Sequence, residues 1–354
     1  MPSVFPSSFS RRRALVTLGG LGALAAPGMW AGLPAGAPEQ VTLAVGARSV
    51  YAFRHLPLTI AEQLDFFAAE GLQVTLKAYP HDVLALQAMR EGAADACAID
   101  FEQLLRYPEV GTGSERCFVV QGRSAQVALG VSLHAVPHYQ HLADLRGLRV
   151  GVCALGTQSH TVACLVLAQA GLTPNDVAFV VVGEGLQAGD ALRSGRVHAL
   201  CHGDPLMTQL EQQGGVRIVG DARTLSGSQA LFGGRVPGGC LVAPVAWLQR
   251  REAQAQALAD GLVHALKWLQ TAGPADLVKV LPASSWGQAR SVYLAAFARA
   301  RETLSPDGLM PSGAPATALR ALRLADSQRL ASRVDANHSF TNEFAQKSKL
   351  KFSA

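Results

Sequence analysis

The stretch Leu86-Gln87-Ala88-Met89-Arg90-Glu91-Gly92-Ala93-Ala94-Asp95-Ala96 has a counterpart later in the chain, Asp190-Ala191-Leu192-Arg193-Ser194-Gly195-Arg196-Val197-His198-Ala199. In each, a helix-like run stops at a glycine and a β-rich run begins just after it. The same pairing holds upstream. Ala69-Glu70-Gly71-Leu72-Gln73-Val74 matches Gln169-Ala170-Gly171-Leu172, and Asp176-Val177 leads into the strand of the second copy. Gly71, Gly92, Gly171 and Gly195 stand where a helix C-terminus takes a residue with positive φ, which glycine adopts without a Cβ penalty. Two similar helix-and-strand units, one after the other, are the economical reading.

The rest of the chain keeps that rhythm. Val41–Val45, Gln73–Ala78, Ala94–Ile99 and Cys117–Gln121 are strand-like, with helices between. The pattern restarts at Arg149–Cys153, Ala178–Val182, Val197–His202 and Val216–Val219. Strands alternating with helices imply βαβ units and parallel sheets, so an α/β fold of two doubly wound lobes is expected. Two further β-like stretches, Val127–His134 and Gly239–Pro244, are expected to carry the chain between lobes as hinge strands. That makes lobe 1 discontinuous (41–126 and 241–354), with lobe 2 at 127–240. After Val245 the pattern is helical, over Trp247–Ala272, Ala275–Leu281, Trp286–Leu304 and Pro315–Ala331, and this extension is expected to pack on lobe 1. Pro315 suits a first helical turn, where its missing N–H costs nothing.

Bulk composition sets the class. Of 354 residues, 16% are charged and 49% hydrophobic, which suits a globular body rather than a disordered one. The net charge of +5 includes Arg11, Arg12 and Arg13, the only charged residues in 1–37, so the remainder carries +2. No basic cluster with interleaved aromatics is left, and nucleic acid is excluded as a partner. Residues 1–37 read as an export signal: Ser10-Arg11-Arg12-Arg13-Ala14-Leu15 leads into an apolar run shorter than the roughly 20 residues that span a bilayer. Its paired arginines resemble a twin-arginine signal. Ala35-Gly36-Ala37 has the small-x-small form of a cleavage site, although Pro38 follows. The six cysteines lack CxxC spacing and lie mostly in apolar stretches, so buried free thiols are expected.

In order and spacing, several motifs resemble the solute-binding proteins of ABC importers in the taurine, nitrate and sulfonate family. They are Leu56-Pro57-Leu58, Asp65-Phe66-Phe67-Ala68-Ala69-Glu70-Gly71-Leu72-Gln73-Val74 and Ala88–Asp95, then Leu142-Ala143-Asp144-Leu145-Arg146-Gly147-Leu148-Arg149-Val150-Gly151-Val152, Asp204-Pro205, Asp307-Gly308 and Thr341-Asn342-Glu343-Phe344. The similarity spans about residues 41–348. It implies a type 2 periplasmic-binding-protein fold, a small-molecule solute clamped between lobes in the periplasm, and delivery to an ABC permease in the inner membrane. The implied partners also include the twin-arginine export machinery. A monomer without cofactor, metal or catalytic residue is expected.

Ligands of parallel α/β sheets collect beyond the carboxyl ends of the strands. In the first lobe this singles out Tyr51, His81 and Asp100; Tyr51 could equally be an ordinary surface or core residue, and Asp100 could face solvent or cap a helix. In the second it singles out Gly156, Thr157, Gln158 and Ser159 at the start of an apolar helix, where hydroxyls and free N–H groups make an anion or carbonyl cradle, though they could simply cap it. Glu184, His202 and Asp204 complete the ring. Asp82, Asp100, Glu102, Glu184 and Asp204 put up to five carboxylates near the rim. Unpaired buried charge is costly, so an amine-bearing or heterocyclic solute fits better than an anion if several face inward.

Other functions are less well supported by the spacing. Cys201 and His202 are adjacent on a strand and point to opposite faces, Cys153 and His160 need a favourable turn to meet, and no GxSxG motif appears. An enzyme on the same fold, as in pyrimidine synthesis, is the alternative, and a ligand-sensing lobe of a signalling system is another. His198 and His202 lie about 13 Å apart on one strand face, too far to share a metal ion.

Overall fold

The computed structural model describes residues 37–49, 52–108, 115–286, 289–325 and 334–353. The expected export signal and Tyr51 lie outside them. Among the described residues, no helix is long and apolar enough to cross a membrane.

Among the described residues, ten strands build two sheets of five. The first contains β1 (Glu39–Val45), β2 (Leu72–Ala78), β3 (Ala96–Asp100), β4 (Glu115–Val120) and β10 (Gly239–Pro244) in the order β2-β1-β3-β10-β4. The second contains β5 (Val127–Ser132), β6 (Arg149–Val152), β7 (Ala178–Val181), β8 (Ala199–Gly203) and β9 (Val216–Asp221) in the order β7-β6-β8-β5-β9. The two layouts are the same. In each, the first strand of the repeat lies second in the order and pairs in parallel with the next two: Leu43 with Leu76 and Ala96, Val150 with Phe179 and Ala199. In each, the fourth position is filled by a strand running antiparallel to both neighbours, β10 in one sheet and β5 in the other.

The stretches expected to act as hinges are therefore full members of the sheets. The chain crosses through the segments preceding them, Gln121–Gln126 and Ala222–Gly238. These run side by side, with the Gly238 N–H donating to the Gly122 carbonyl at 2.8 Å and that of Gln126 to Ala222 at 3.1 Å.

Alternation along the strands divides the core. On the first sheet Leu43, Val45, Ala98 and Leu241 join one apolar cluster, and Ala44, Cys97, Ile99 and Val242 the other. Successive residues of a strand face opposite ways, so helices cover both surfaces. The second sheet is built likewise, with Val150, Val152 and Cys201 on one face and Ala128 and Leu200 on the other, where Met207 of the helix Leu206–Gln212 joins the cluster. Five of the six cysteines are buried free thiols, and Cys153 is half-buried.

The C-terminal helices differ from expectation in detail. The run expected over Trp247–Ala272 breaks at Arg251 into Val245–Arg250 and Glu252–Thr271, because Arg251 leaves helical geometry (φ −123°, ψ 42°). A 3-10 turn at Ala283–Ser285 precedes a helix that begins only at Arg290 and ends at Ala300. Glu252–Thr271 packs on the first lobe, against Leu56–Gln63 and Glu343–Lys351. Two others also touch the second lobe: Ala314–Ala325 lies against Gln158–Gln169, and Arg290–Ala300 against Leu206–Gln212.

The paired glycines have the backbone their positions require: φ is 77° at Gly71, 67° at Gly171, 76° at Gly92 and 71° at Gly195. A Cβ at any of these would meet nothing within 4 Å, so any cost of substitution is a backbone cost. Gly71→Ala and Gly171→Ala are each expected to lower unfolding free energy by about 1 kcal/mol without changing the solvent dependence of unfolding. Urea titration checks this; midpoints unchanged within error would contradict the assignment.

Candidate functional site

The carboxyl ends of the parallel strands in both sheets converge on one cavity of about 470 Å³. This volume suits a small organic molecule. Its wall on the first-lobe side is organised by one arginine. Arg54, in a 3-10 turn at Phe53–His55, reaches over the ends of three strands. Its guanidinium donates to the Gly46 carbonyl after β1, to Asp82 after β2 (Nη1 to Oδ2 3.3 Å) and to Asp100 at the end of β3 (2.7 Å). Asp82 also accepts from the Asp100 N–H at 3.0 Å. The carboxylates are nearly buried while the Arg54 side chain keeps 23% of its surface, open to the cavity. Gly46 permits this approach, because a Cβ there would come within 2.7 Å of the Asp82 Cα.

Burial pushes Asp100 up to about 8; Arg54 pulls it down, while Asp82, Glu102 and Glu184 reinforce the rise. Burial opposes the charge on Arg54, but Asp82, Asp100 and Glu184 together hold it well above its ordinary value.

The second-lobe wall is made by loops after β6, β7 and β8. The helix Gln158–Gln169 starts here with no side chain capping it. Instead Thr157 Oγ1 donates to the Ala154 carbonyl at 2.7 Å and lies 2.9 Å from Ser159 Oγ, which in turn accepts from the Cys153 N–H at 2.9 Å. The hydroxyls thus fix the loop, and the helix start keeps its partial positive charge toward the cavity. His202 is 7% exposed; its Nδ1 lies 3.0 Å from the Gly203 carbonyl and its Nε2 makes no well-aligned hydrogen bond. Burial disfavours charge on this ring, but Cys153, the Gly203 carbonyl and Glu184 outweigh it and bring His202 to about 9. Glu184 is half-buried and has neither ion pair nor hydrogen bond among the described residues. A third wall is apolar. Tyr293 meets Phe53 and Trp286 edge-on, with ring centroids 5.0 and 5.2 Å apart.

Behind the cavity the lobes touch through polar groups. Gln103 Nε2 donates to the Gly156 carbonyl at 3.1 Å, Arg106 Nη2 to Thr161 Oγ1 at 3.2 Å, and Thr161 Oγ1 to Glu102 at 3.4 Å. Arg299 and Glu211 form a further bridge at 2.6 Å. Burial raises Glu102 to about 7, opposed by Arg106 and the Thr161 hydroxyl.

Of the expected site residues, His81, Asp100, Thr157, Gln158, Ser159, Glu184, His202 and Asp204 line the cavity. Gly156 does not. It adopts φ 79° against Arg106 and Tyr107, in the interlobe contact. The expected acidic rim is largely neutralised: Asp82 and Asp100 bind Arg54, Glu102 belongs to the interlobe contact, and Asp204 accepts from Arg223 at 3.4 Å and the Thr208 N–H at 2.9 Å. The argument against an anionic guest therefore does not hold.

His160 does not meet Cys153. Its Nδ1 lies 3.4 Å from the Gly156 N–H and its Nε2 3.7 Å from Cys164 Sγ. Sequence reasoning missed Arg54 and the aromatic wall, and weighed Cys153 only with His160. For Arg54 the signal was an isolated arginine within an apolar segment; for the aromatics there was none.

Twin doubly wound sheets with a cavity at their facing strand ends define the type 2 periplasmic-binding-protein fold. Within it, the chain belongs to the NMT1-like family, which it matches over residues 36–281. A solved protein of Bordetella bronchiseptica is 38% identical, with a TM-score of 0.80, covering 88% of this chain and 98% of that one. The alkanesulfonate-binding protein SsuA of Xanthomonas axonopodis, bound to MOPS, shares the fold at 19% identity (TM-score 0.69, 86% and 99% covered). So does the periplasmic nitrate-binding protein NrtA of Synechocystis, at 14% (TM-score 0.66, 88% and 89%). The desulfurization enzyme DszB has it too, at 19% (TM-score 0.61, 88% and 100%). No functionally curated protein matches the chain.

The raised Glu102 carries a sign that can be tested. The folded state keeps its proton above the ordinary carboxylate range, so this contribution is full below about pH 4.5 and is lost as pH rises to about 7. Glu102→Gln, neutral throughout, is expected to remove roughly 1–3 kcal/mol of the decline between those limits. Urea unfolding at several pH values checks it; parallel curves for variant and parent would refute it.

Proposed function

We propose that the protein is an exported solute-binding protein of an ABC importer, holding a small molecule between its halves and presenting it to a permease. In this reading residues 41–126 and 241–354 form one lobe and 127–240 the other, residues 1–37 direct export to the periplasm, and the protein works as a monomer. The observation that carries it is the cavity between the sheets, whose walls come from both. A clamp requires that: a guest touching both walls favours the closed arrangement in proportion to its differential affinity.

The walls also suggest the guest. The Trp286–Tyr293–Phe53 face suits a flat or aliphatic body, and the opposite wall offers the His202 ring and an uncapped helix start. A small, largely apolar solute with one anionic or strongly accepting group, such as a sulfonate or carboxylate, fits both. The binding of alkanesulfonate by SsuA and of nitrate by NrtA is consistent with this choice.

Calorimetry and thermal shift against alkyl and aryl sulfonates, carboxylates, nitrate and amines test the proposal. A true guest at about 100 times its Kd adds about 2.7 kcal/mol of apparent stability. Trp286→Ala is expected to weaken such a guest at least about tenfold while the fold is retained. Absence of any stabilising compound across these classes, or binding indifferent to Trp286, would count against the reading. Steady conversion of a bound compound to product would indicate an enzyme instead.

A further inference from the structure

Parallel pairing of β6 with β8 sets Val152 opposite Cys201. One residue further along both strands, Cys153 falls beside His202 on the other face, at the strand ends that open into the cavity. Both line it. Cys153 is half-buried, whereas Cys97, Cys117, Cys164, Cys201 and Cys240 are buried, and burial pushes the thiols of Cys97, Cys201 and Cys240 up. His202 is more than nine-tenths buried; its Nδ1 is directed to the Gly203 carbonyl, leaving Nε2 buried without an aligned partner, while Cys153 lies close enough to act on the ring. The backbone holding the cysteine is fixed by Ser159 Oγ, which accepts from its N–H. A cysteine beside an imidazole whose far nitrogen is anchored has the parts of an activated nucleophile: thiol, base and orienting group.

We propose that Cys153 and His202 form a nucleophile–base pair within the cavity, able to bond covalently to small carbon electrophiles that carry a leaving group beside a carbonyl. The thiol proton passes to His202 Nε2, the sulfur forms a bond to the electrophilic carbon, and the carbon–leaving-group bond breaks to release the anion. No oxidant or reductant is needed. The charged and titratable groups facing the pair are Glu184 after β7, Asp204 after β8 and, across the cavity, Arg48 after β1, His81 after β2, and Arg54 with Asp82 and Asp100. Glu184 favours the imidazolium that the step creates, and Arg54 is already paired with its two carboxylates. The assignment does not rest on the solute-capture reading, because the reaction is read on the thiol itself.

Iodoacetamide is the probe, applied to the full chain and followed by intact mass and peptide mapping. At about pH 6.5, Cys153 is expected to be the first site alkylated, at a rate at least about tenfold above N-acetylcysteine. The rate should stay nearly level from about pH 6 to 8, where that of the small thiol climbs close to tenfold per unit. His202→Gln should remove the advantage and restore the ordinary pH slope. Alkylation of Cys153 no faster than that of N-acetylcysteine would overturn the proposal, as would a folded His202→Gln protein that keeps the wild-type rate and profile. If that variant does not fold, the comparison of wild-type protein with the small thiol decides alone.

Discussion

One cation ties the first lobe's end of the cavity together. The Arg54 guanidinium is shared by the Gly46 carbonyl, Asp82 and Asp100, which come from the ends of three neighbouring strands. Those carboxylates are nearly buried, and each would be costly without its partner, while the arginine could not be withdrawn from water without them. The geometry is mutually required, so the rim on this side is fixed before any guest arrives. It also changes the character of the site. A rim read as acidic from its residues is close to neutral, and what faces a guest includes Arg48, His81, His202, Glu184 and the start of one helix.

The opposing wall owes its position to repetition. The two sheets share a strand order, and both direct the carboxyl ends of their parallel strands toward the same space. Duplicated architecture alone would make the walls alike. They differ because the C-terminal helices reach past the first lobe: Trp286 and Tyr293 supply an apolar face, and Ala314–Ala325 and Arg290–Ala300 brace the second lobe from outside. Asymmetry in the cavity is thus supplied by the part of the chain with no counterpart in the repeat.

How much of this could be read beforehand follows the range of each signal. Strand spans were legible because local periodicity and β-branched runs determine them; Gly239–Pro244 was placed to the residue. The four paired glycines were legible because a left-handed helix end is a local demand. Most loops at the strand ends were found by counting from the strands. The reach of Arg54 was not, since a long side chain can turn to partners far away in sequence and nothing local names them. Cys153 and His202 were each considered with the wrong partner, because which strands pair, and in what register, is a property of the whole sheet. The break at Arg251 depends on how the next helix must dock, which again is tertiary.

The double passage between the sheets also orders events during synthesis. The second sheet has all five strands once Asp221 has been made, whereas the first cannot gain its fourth until Pro244 emerges. Until then β3 and β4, which flank that slot, have no strand between them, and the earliest-made part of the protein is the last to close. A nascent chain therefore exposes an open sheet edge until about two-thirds of it has been made, which makes the N-terminal half the natural client for a holding chaperone.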